Sequence, residues 1–182
     1  MEFWDIYDAD KKPTGRTMKR NDWCLKDGEY HLTVLGVVAR PDKTFLITKR
    51  VMTKAWAPGW WEVSGGAAQA GEESRDAVLR EVKEETGLTL TSYRFRALIT
   101  FVSDQLEPEM MCLFTADAFT GDLITCSEGD LKWVDKSEVP NLPTWEGDAI
   151  FLRLLLEDEP RFFTLKLVYE GDLLVEKKLA FY

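Results

Sequence analysis

The sequence predicts an α/β fold in which helices cover a mixed β-sheet. Segments with strand character outnumber those with helix character, and the two candidate helices lie far apart in the chain. The 182 residues, 45% of them hydrophobic and 12% aromatic, are enough to bury a full-sized core. These observations predict that residues 1–182 form a single domain, built from helices packed on a sheet.

The first quarter of the chain supplies four strand candidates. Residues 2–7 and 14–19 flank a turn-rich segment, so we expect a β-hairpin within an N-terminal extension of residues 1–30. Residues 32–39 form an almost continuous apolar run, and residues 44–48 follow after a turn. A loop rich in Trp, Pro and Gly comes next.

A helix is predicted for residues 73–86. Val78, Leu79 and Val82 form an apolar stripe at helical spacing. Gly87 then stands where a residue with left-handed backbone angles ends a helix.

The second half of the chain is expected to contain more strands and one further helix. Thr144 is predicted to cap this helix, which runs to about residue 157 and has four inner-face residues. These are Ile150, Phe151, Leu154 and Leu155. The predicted strands cover residues 93–102, 110–119 and 131–134, and the terminal segment 158–182 forms a hairpin from residues 162–169 and 173–179.

Charge and composition exclude several kinds of partner. The formal charge of −9, from 32 acidic and 23 basic residues, disfavours nucleic acid, because phosphate affinity is built from Lys and Arg. No apolar run approaches the ~20 residues of a membrane span, so no membrane partner is expected. The three cysteines lack metal-ligand spacing, and the N-terminus lacks the pattern of a signal peptide. A cytoplasmic protein is expected.

Three glutamates provide the first sign of chemistry. Glu81, Glu84 and Glu85 share one face of the predicted helix, at spacings i, i+3 and i+4. Like charges at these spacings destabilise a helix, whereas a hard cation such as Mg²⁺ requires several carboxylate oxygens. Taken alone, the three residues favour a solvated acidic face over a metal site.

The surrounding residues resemble the Nudix box, G-x(5)-E-x(7)-R-E-U-x-E-E-x-G-U, where U is a bulky aliphatic residue. The match runs without a gap over residues 66–88. The matching positions are Gly66, Glu72, Arg80, Glu81, Val82, Glu84, Glu85, Gly87 and Leu88. The resemblance implies a Nudix-type α/β/α sandwich, to which the N- and C-terminal hairpins are added, and hydrolysis of a diphosphate linkage.

The same resemblance implies roles for individual residues. Glu81 and Glu85 would ligate Mg²⁺, for which Mn²⁺ can substitute, and Glu84 would be a further ligand or hold a metal-bound water. Arg80 and Glu72 would brace the loop against the helix through a salt bridge. A backbone carbonyl of Gly65 or Gly66 would complete the metal shell, since glycine lets the backbone approach an ion closely. Arg80 and Glu84 are therefore candidate catalytic residues.

The general base is expected outside the box. In some Nudix enzymes it is a glutamate in a later loop, shortly before a strand that contains Trp. Glu128, five residues before Trp133, has this position. Glu107 and Glu109 lie in another loop that can reach the site, and each of the three is also compatible with a solvated loop acid.

Cations and aromatic residues between the second apolar strand and the box are candidates for substrate binding. Arg50 and Lys54, with Lys49, either bind phosphates or are ordinary surface cations that follow a strand. Trp60 and Trp61 are adjacent and would face opposite ways in an extended segment, so one of them at most contacts substrate. We assign that role to Trp60.

The sequence is compatible with three hypotheses about function. The leading one is Mg²⁺-dependent hydrolysis of a nucleoside diphosphate linked to another moiety, or a similar small diphosphate. The second is an activity like that of isopentenyl-diphosphate isomerase, which the first 90 residues resemble, although Gly65 and Ala67 replace its Cys and His. The sole histidine, His31, is retained and is expected to form a structural hydrogen bond. The third is a non-catalytic Nudix ligand-binding module. The terminal hairpins either cover the core or build a homodimer interface.

Overall fold

The computed structural model describes residues 1–53 and 57–182, and within them it contains eleven strands, two α-helices and one short 3-10 helix. The strands are β1 (Phe3–Tyr7), β2 (Pro13–Lys19), β3 (Tyr30–Val38), β4 (Thr44–Arg50), β5 (Trp61–Glu62), β6 (Ser64–Ala67), β7 (Thr89–Ser103), β8 (Glu109–Thr120), β9 (Gly129–Asp135), β10 (Phe163–Glu170) and β11 (Leu173–Phe181). The helices are α1 (Ser74–Thr86) and α2 (Glu146–Leu156), and the 3-10 helix is Val139–Asn141.

Two sheets form the centre of the fold. The larger has eight strands in the order β11-β10-β7-β8-β3-β1-β2, with β6 paired to β3 beside this path. It is mixed, because β10 runs parallel to β7 and β3 parallel to β8 while its other pairs are antiparallel. The smaller sheet is antiparallel, in the order β5-β4-β9. The α/β fold with a mixed sheet that the sequence predicts is therefore confirmed.

The helices lie over two separate hydrophobic cores. Phe151 and Leu155 of α2 belong to one core, and Val78 and Val82 of α1 belong to the other. Alternation along the strands divides them between these cores. In β4, Phe45 and Ile47 pack with α2, whereas Leu46 packs with α1. The result is the predicted sandwich, with strands between two helical layers.

The two terminal hairpins are integral parts of the large sheet. The N-terminal hairpin β1-β2 joins it through Ile6 beside His31 of β3. The C-terminal hairpin β10-β11 joins it through Phe163 beside Ala97 of β7. Both hairpins thus extend the sheet at opposite ends.

The start of α2 differs from the prediction. Trp145, rather than Thr144, is the residue that precedes the helix, and the helix has no side-chain cap. The Thr144 hydroxyl donates instead to the carbonyl of Trp145, at 3.4 Å. The N–H of Gly147 is satisfied by the Tyr169 hydroxyl of β10, at 2.8 Å, so tertiary structure supplies what a capping side chain would have supplied. The prediction of a Thr144 cap was wrong.

The predicted inner face of α2 was correct in part. Phe151 and Leu155 are buried, Ile150 and Leu154 pack at the margin of the core, and Leu152 is a buried residue that the prediction omitted. Strands β7 and β8 are also longer than their apolar runs, because their mutual hydrogen bonds continue from Phe101 and Glu109 to Thr89 and Thr120. In the described residues, no helix has the length and apolar character needed to cross a membrane.

The bond between Gly147 and Tyr169 gives a test of how α2 is held to the sheet. We expect Tyr169→Phe to lower the free energy of unfolding by about 1–3 kcal/mol, because it leaves a buried N–H without an acceptor. Tyr182→Phe, which changes an exposed terminal residue in the same way, is the matched control and should have little effect. Urea denaturation measures both, and equal stabilities for the two variants would contradict this account.

Candidate active site

Helix α1 approaches the sheet closely because of a glycine in β3. A Cβ atom at Gly36 would lie 2.7 Å from the Val82 side chain, too close for real atoms, so glycine at this point lets Val78 and Val82 pack directly on the strand. The helix ends at Gly87, whose φ of 83° is the left-handed value predicted from the sequence. This packing aims the glutamate-bearing face of α1 at β6.

Arg80 joins the helix to the loop that precedes it. Its guanidinium forms a two-pronged salt bridge with Glu72, at 2.8 and 2.9 Å, and donates to the carbonyl of Ala67 at 3.2 Å. It also donates to Glu81 at 2.7 Å and, more distantly, to Glu84 at 3.4 Å. The hydrogen bonds from Arg80 are the main cause of the lowered pKa of Glu72. Arg80 therefore holds the loop and the carboxylates in one arrangement.

Glu81 lies against the backbone of Gly66. A Cβ atom at Gly66 would be 2.6 Å from the carboxyl carbon of Glu81, so any larger residue would displace this carboxylate. Burial raises the pKa of Glu81, although the neighbouring Arg80 lowers it. The glycine of the box thus has a steric role at this position.

Glu85 is the carboxyl group of α1 whose pKa is shifted most. Burial is the main cause that raises its pKa to about 8, and the charges of Glu81 and Glu62 add to the effect. Hydrogen bonds from the N–H of Gly65, at 3.3 Å, and from the Ser64 side chain act in the opposite direction. Among the described residues no cation forms a salt bridge with Glu85, so the ionised form of this carboxyl group has no ionic partner there.

Gly65 is required by the strand pairing. A Cβ atom there would lie 2.1 Å from the Val34 carbonyl oxygen of β3. Because β6 runs so close to β3, the Gly65 N–H is directed to the Glu85 carboxylate. The glycine pair therefore brings a strand backbone to both half-buried glutamates.

The donor atoms at this point suit a hard divalent cation. Glu81 and Glu85 bring carboxylate oxygens beside the backbone of Gly65 and Gly66, and oxygen ligands are those that Mg²⁺ and Mn²⁺ prefer. In the described part of the chain, however, no three His, Cys, Asp or Glu side chains are gathered closely enough to hold an ion by themselves. Glu84 shares the Arg80 guanidinium with Glu81, but its side chain is 63% exposed.

These residues line a cleft of about 900 Å³. Glu128, the predicted general base, lines it from the segment before β9, and so do Glu84 and Arg80. Arg50 also lines the cleft, where it forms a salt bridge with Glu62 at 2.7 Å. The cleft thus combines the box glutamates with side chains from several strands.

Trp60, another predicted substrate contact, is not among the described residues that line the cleft. Trp60 packs against Trp145, with ring centroids 4.9 Å apart, and it is Trp145 that lines the cleft. Trp61 packs at the margin of the α2 core. Lys54 lies outside the described residues.

Asp148 is a cleft residue that the sequence did not reveal. It lies in the first turn of α2, and burial, together with the charges of Glu62 and Glu109, raises its pKa to about 7. Acidic residues are common in the first turn of a helix, so its sequence position gave no signal of this kind. Only its tertiary neighbours distinguish it from the exposed Glu146.

His31 does not make the structural hydrogen bond that was expected. Its side chain is buried, and neither ring nitrogen has a hydrogen-bond partner among the described residues. Its Nε2 lies 3.7 Å from Oε1 of Glu109, beyond hydrogen-bond length. The prediction was wrong because Glu109, the neighbour of His31 in the register of β3 and β8, is bound to Thr33 instead.

Comparisons with known proteins agree with this geometry. Residues 29–155 match the NUDIX domain. The chain belongs to the Nudix hydrolase family. An uncharacterized Nudix hydrolase of Bacillus subtilis is 34% identical over 128 residues, which cover 68% of this chain and 77% of the relative. An oxidized purine nucleoside triphosphate hydrolase of Danio rerio is 29% identical over 149 residues, covering 81% and 93% of the two chains.

One solved structure and one isomerase are also similar to this Nudix hydrolase. A MutT protein of Bacillus halodurans has a TM-score of 0.73 and 27% identity, covering 81% of this chain and 96% of that one. Isopentenyl-diphosphate isomerase of Escherichia coli is 29% identical over 143 residues, which cover 74% of this chain and 77% of the isomerase. The isomerase resemblance therefore extends beyond the first 90 residues.

The contacts of Arg80 lead to a stability prediction. We expect Arg80→Lys to lower the free energy of unfolding by about 1–3 kcal/mol, because an ammonium group cannot form the two-pronged bond to Glu72 while also reaching Ala67 and Glu81. Arg75→Lys, in an exposed position on the same helix, is the control and should stay within about 0.5 kcal/mol of the wild type. Chemical denaturation of the two variants measures the difference, and a neutral Arg80→Lys would show that the brace is dispensable.

Proposed function

We propose that this Nudix hydrolase cleaves a diphosphate linkage in a nucleoside diphosphate derivative, by attack of water on phosphorus, and that the reaction depends on Mg²⁺. The observation that carries the proposal is the pair of carboxylates of Glu81 and Glu85 beside the Gly65-Gly66 backbone. Burying two neighbouring like charges is unfavourable unless a cation or a proton compensates them. A divalent cation is the compensation that also serves the chemistry.

Glu81 and Glu85 are the residues that would hold the metal, with Glu84 as a further candidate and a backbone carbonyl of Gly65 or Gly66 beside them. When bound, Mg²⁺ shields the charge of the diphosphate and lowers the pKa of water. Arg80 keeps Glu81 and the loop in place through the contacts described above. Glu128, which lines the same cleft, is our candidate for accepting a proton from the attacking water.

The substrate proposed here is a nucleotide. Two relatives named oxidized purine nucleoside triphosphate hydrolase, from Danio rerio and Mus musculus, support a purine nucleotide for this chain as well. Arg50 faces the cleft but is engaged by Glu62, so we propose that it orients Glu62 and contributes to phosphate binding only where that pair opens. Trp60 then acts indirectly, by supporting Trp145. A cytoplasmic location and a homodimer stay predictions.

Activity gives the direct test of this proposal. The protein is incubated with nucleoside triphosphates, including 8-oxidized purines, nucleotide sugars, dinucleotides and isoprenoid diphosphates, with and without Mg²⁺. We expect metal-dependent hydrolysis of one nucleotide class, and a fall in kcat of about 100-fold or more in Glu85→Gln. Mass spectrometry identifies the products, and Glu73→Gln, a change of an exposed acid at the start of α1, is the control.

Two other results of this assay would point to the alternatives. An isomerised allylic diphosphate would replace hydrolysis by isomerase chemistry. Ligand binding without any product, seen as a raised melting temperature, would favour a non-catalytic module. Either result contradicts the proposal.

Stability as a function of pH gives a second test, independent of turnover. The pKa of Glu85 in the fold is about 8, against an ordinary value of 4.5, so the folded chain binds the extra proton more tightly than the unfolded chain. Without divalent metal, the wild type should therefore lose stability relative to Glu85→Gln as the pH rises from about 4.5 to about 8. Mg²⁺ should reduce this loss, because it compensates the ionised carboxylate.

Denaturation with EDTA or Mg²⁺ at several pH values measures this effect. Glu73→Gln is again the control, since its carboxylate is exposed, and its stability should follow that of the wild type at each pH. If the stability of the wild type changes with pH in the same way as that of Glu85→Gln, the burial of Glu85 without a compensating charge is contradicted.

A further inference from the structure

The box glutamates occupy one part of the cleft, and a second group of residues lies one strand away. Thr33 of β3 pairs with Ala67 of β6, the strand that carries Gly65 and Gly66. His31 lies two residues before Thr33 on β3, on the order of 7 Å along the strand. His31, Thr33 and Glu109 all line the cleft. This group therefore lies beside the proposed phosphate site and within the same cavity.

His31 has hydrogen-bonding groups that the described protein residues do not use. Its side chain is 3% exposed, and both ring nitrogens are buried without a partner. Burying such groups without hydrogen bonds destabilises a fold, because they lose their bonds to water and gain none in return. A fold that needed only packing here would be more stable with an apolar ring, so the unused nitrogens point to a ligand.

Glu109 supplies a fixed acceptor next to His31. Its Oε2 accepts a hydrogen bond from the Thr33 hydroxyl at 3.0 Å, which orients the carboxylate. Its Oε1 lies 3.7 Å from Nε2 of His31. A ligand hydroxyl or amino group placed beside both atoms would bond to each, because such groups donate to a carboxylate and can also bond to a ring nitrogen.

Aromatic rings cover the same group. The imidazole of His31 stacks on Trp4, with centroids 5.1 Å apart and planes at 15°. Trp23 contacts both rings, at 5.4 Å from Trp4 and 5.2 Å from His31, yet 42% of its surface is exposed. Trp23 lies in the segment between β2 and β3, outside regular structure, and it lines the cleft. It thus presents a flat apolar face at the edge of the polar pair.

Charge decides which part of a substrate fits here. Glu109 and Glu62 both act on Asp148, so the carboxylates of this region lie within electrostatic reach of one another. An acidic region of this kind repels phosphate and favours neutral groups that donate hydrogen bonds. A planar ring with amino or hydroxyl donors meets both the aromatic and the acidic requirement.

We infer that His31, Glu109 and Trp23 form a subsite for the nucleoside part of the substrate. Glu109 and His31 bind its donor groups, and Trp23 packs against its ring. The inference rests on the proposed nucleotide substrate, and it assigns the uncharged half of that substrate to the side of the cleft formed by the N-terminal hairpin and β3. The hairpin thereby becomes part of the binding site.

Three variants test the subsite. Glu109→Gln and Trp23→Ala should each raise KM for the nucleotide substrate about tenfold with kcat changed less than about twofold, because each removes binding contacts remote from phosphorus. His31→Phe keeps the aromatic stack and removes only the unpaired nitrogens. His31→Phe should raise KM to a similar extent, while its melting temperature equals or exceeds that of the wild type. If His31 has only a structural role, the variant should instead have a lower melting temperature and an unchanged KM.

Matched controls lie close by. Asp117→Asn removes the same charge from the same strand as Glu109, at an exposed position that does not line the cleft. Phe3→Ala removes an aromatic ring that, like Trp23, is 42% exposed but lies outside the cleft lining. Both controls should keep the wild-type KM.

Calorimetric titration with adenosine, guanosine, cytidine and uridine, in EDTA, separates this inference from hydrolysis. Nucleoside binding that weakens in Glu109→Gln and Trp23→Ala supports the subsite even if no diphosphate is cleaved. Metal-dependent hydrolysis with KM unchanged in all three variants would overturn the subsite and leave the hydrolase intact. Failure of every nucleoside to bind the wild type at concentrations up to about 10 mM would also overturn it.

Discussion

The salt bridge between Arg80 and Glu72 is the constraint on which the site depends. It ties helix α1 to the loop before it, and the same guanidinium reaches the Ala67 carbonyl and the Glu81 carboxylate. A planar, permanently charged group can satisfy these partners together because its N–H directions are fixed. Glu81 is consequently held in place beside Gly66. The position of the Glu81 carboxylate thus follows from a salt bridge to Glu72, nine residues earlier in the chain.

Close backbone approach is the second requirement. Gly36 lets α1 contact β3, Gly65 lets β6 contact the Val34 carbonyl, and Gly66 leaves space for the Glu81 carboxylate. With side chains at these points, the helix and the strand would separate, and Glu85 would lose its contact with the Gly65 N–H. The raised pKa of Glu85 is a consequence of this compact arrangement, since burial is its main cause. Packing and charge are therefore coupled in one small region.

The large sheet connects this region to the rest of the cleft. Strand β3 touches β6, β8 and β1, so the box, Glu109 and the N-terminal hairpin all meet along one strand. Helix α2 closes another side and brings Asp148 and Trp145 to the cavity. The cleft is consequently acidic and aromatic on several sides, whereas Arg50 is already engaged by Glu62. This distribution favours a substrate whose phosphates are bound through a cation and whose remaining part is neutral and planar.

The sequence by itself determined the local features of this protein. Apolar periodicity located α1 and most strands, Gly87 marked the helix end, and the box spacing placed Glu81 and Glu85 on one face, because these depend on neighbours a few residues apart. Tertiary structure alone decided four other features. These are the start of α2, the unpaired nitrogens of His31, the salt bridge of Arg50 with Glu62 and the raised pKa of Asp148. Each depends on residues far away in the chain, such as Tyr169, which binds Gly147, or Thr33, which binds Glu109 and leaves His31 unpaired. The register of strands distant in sequence determines which residues meet.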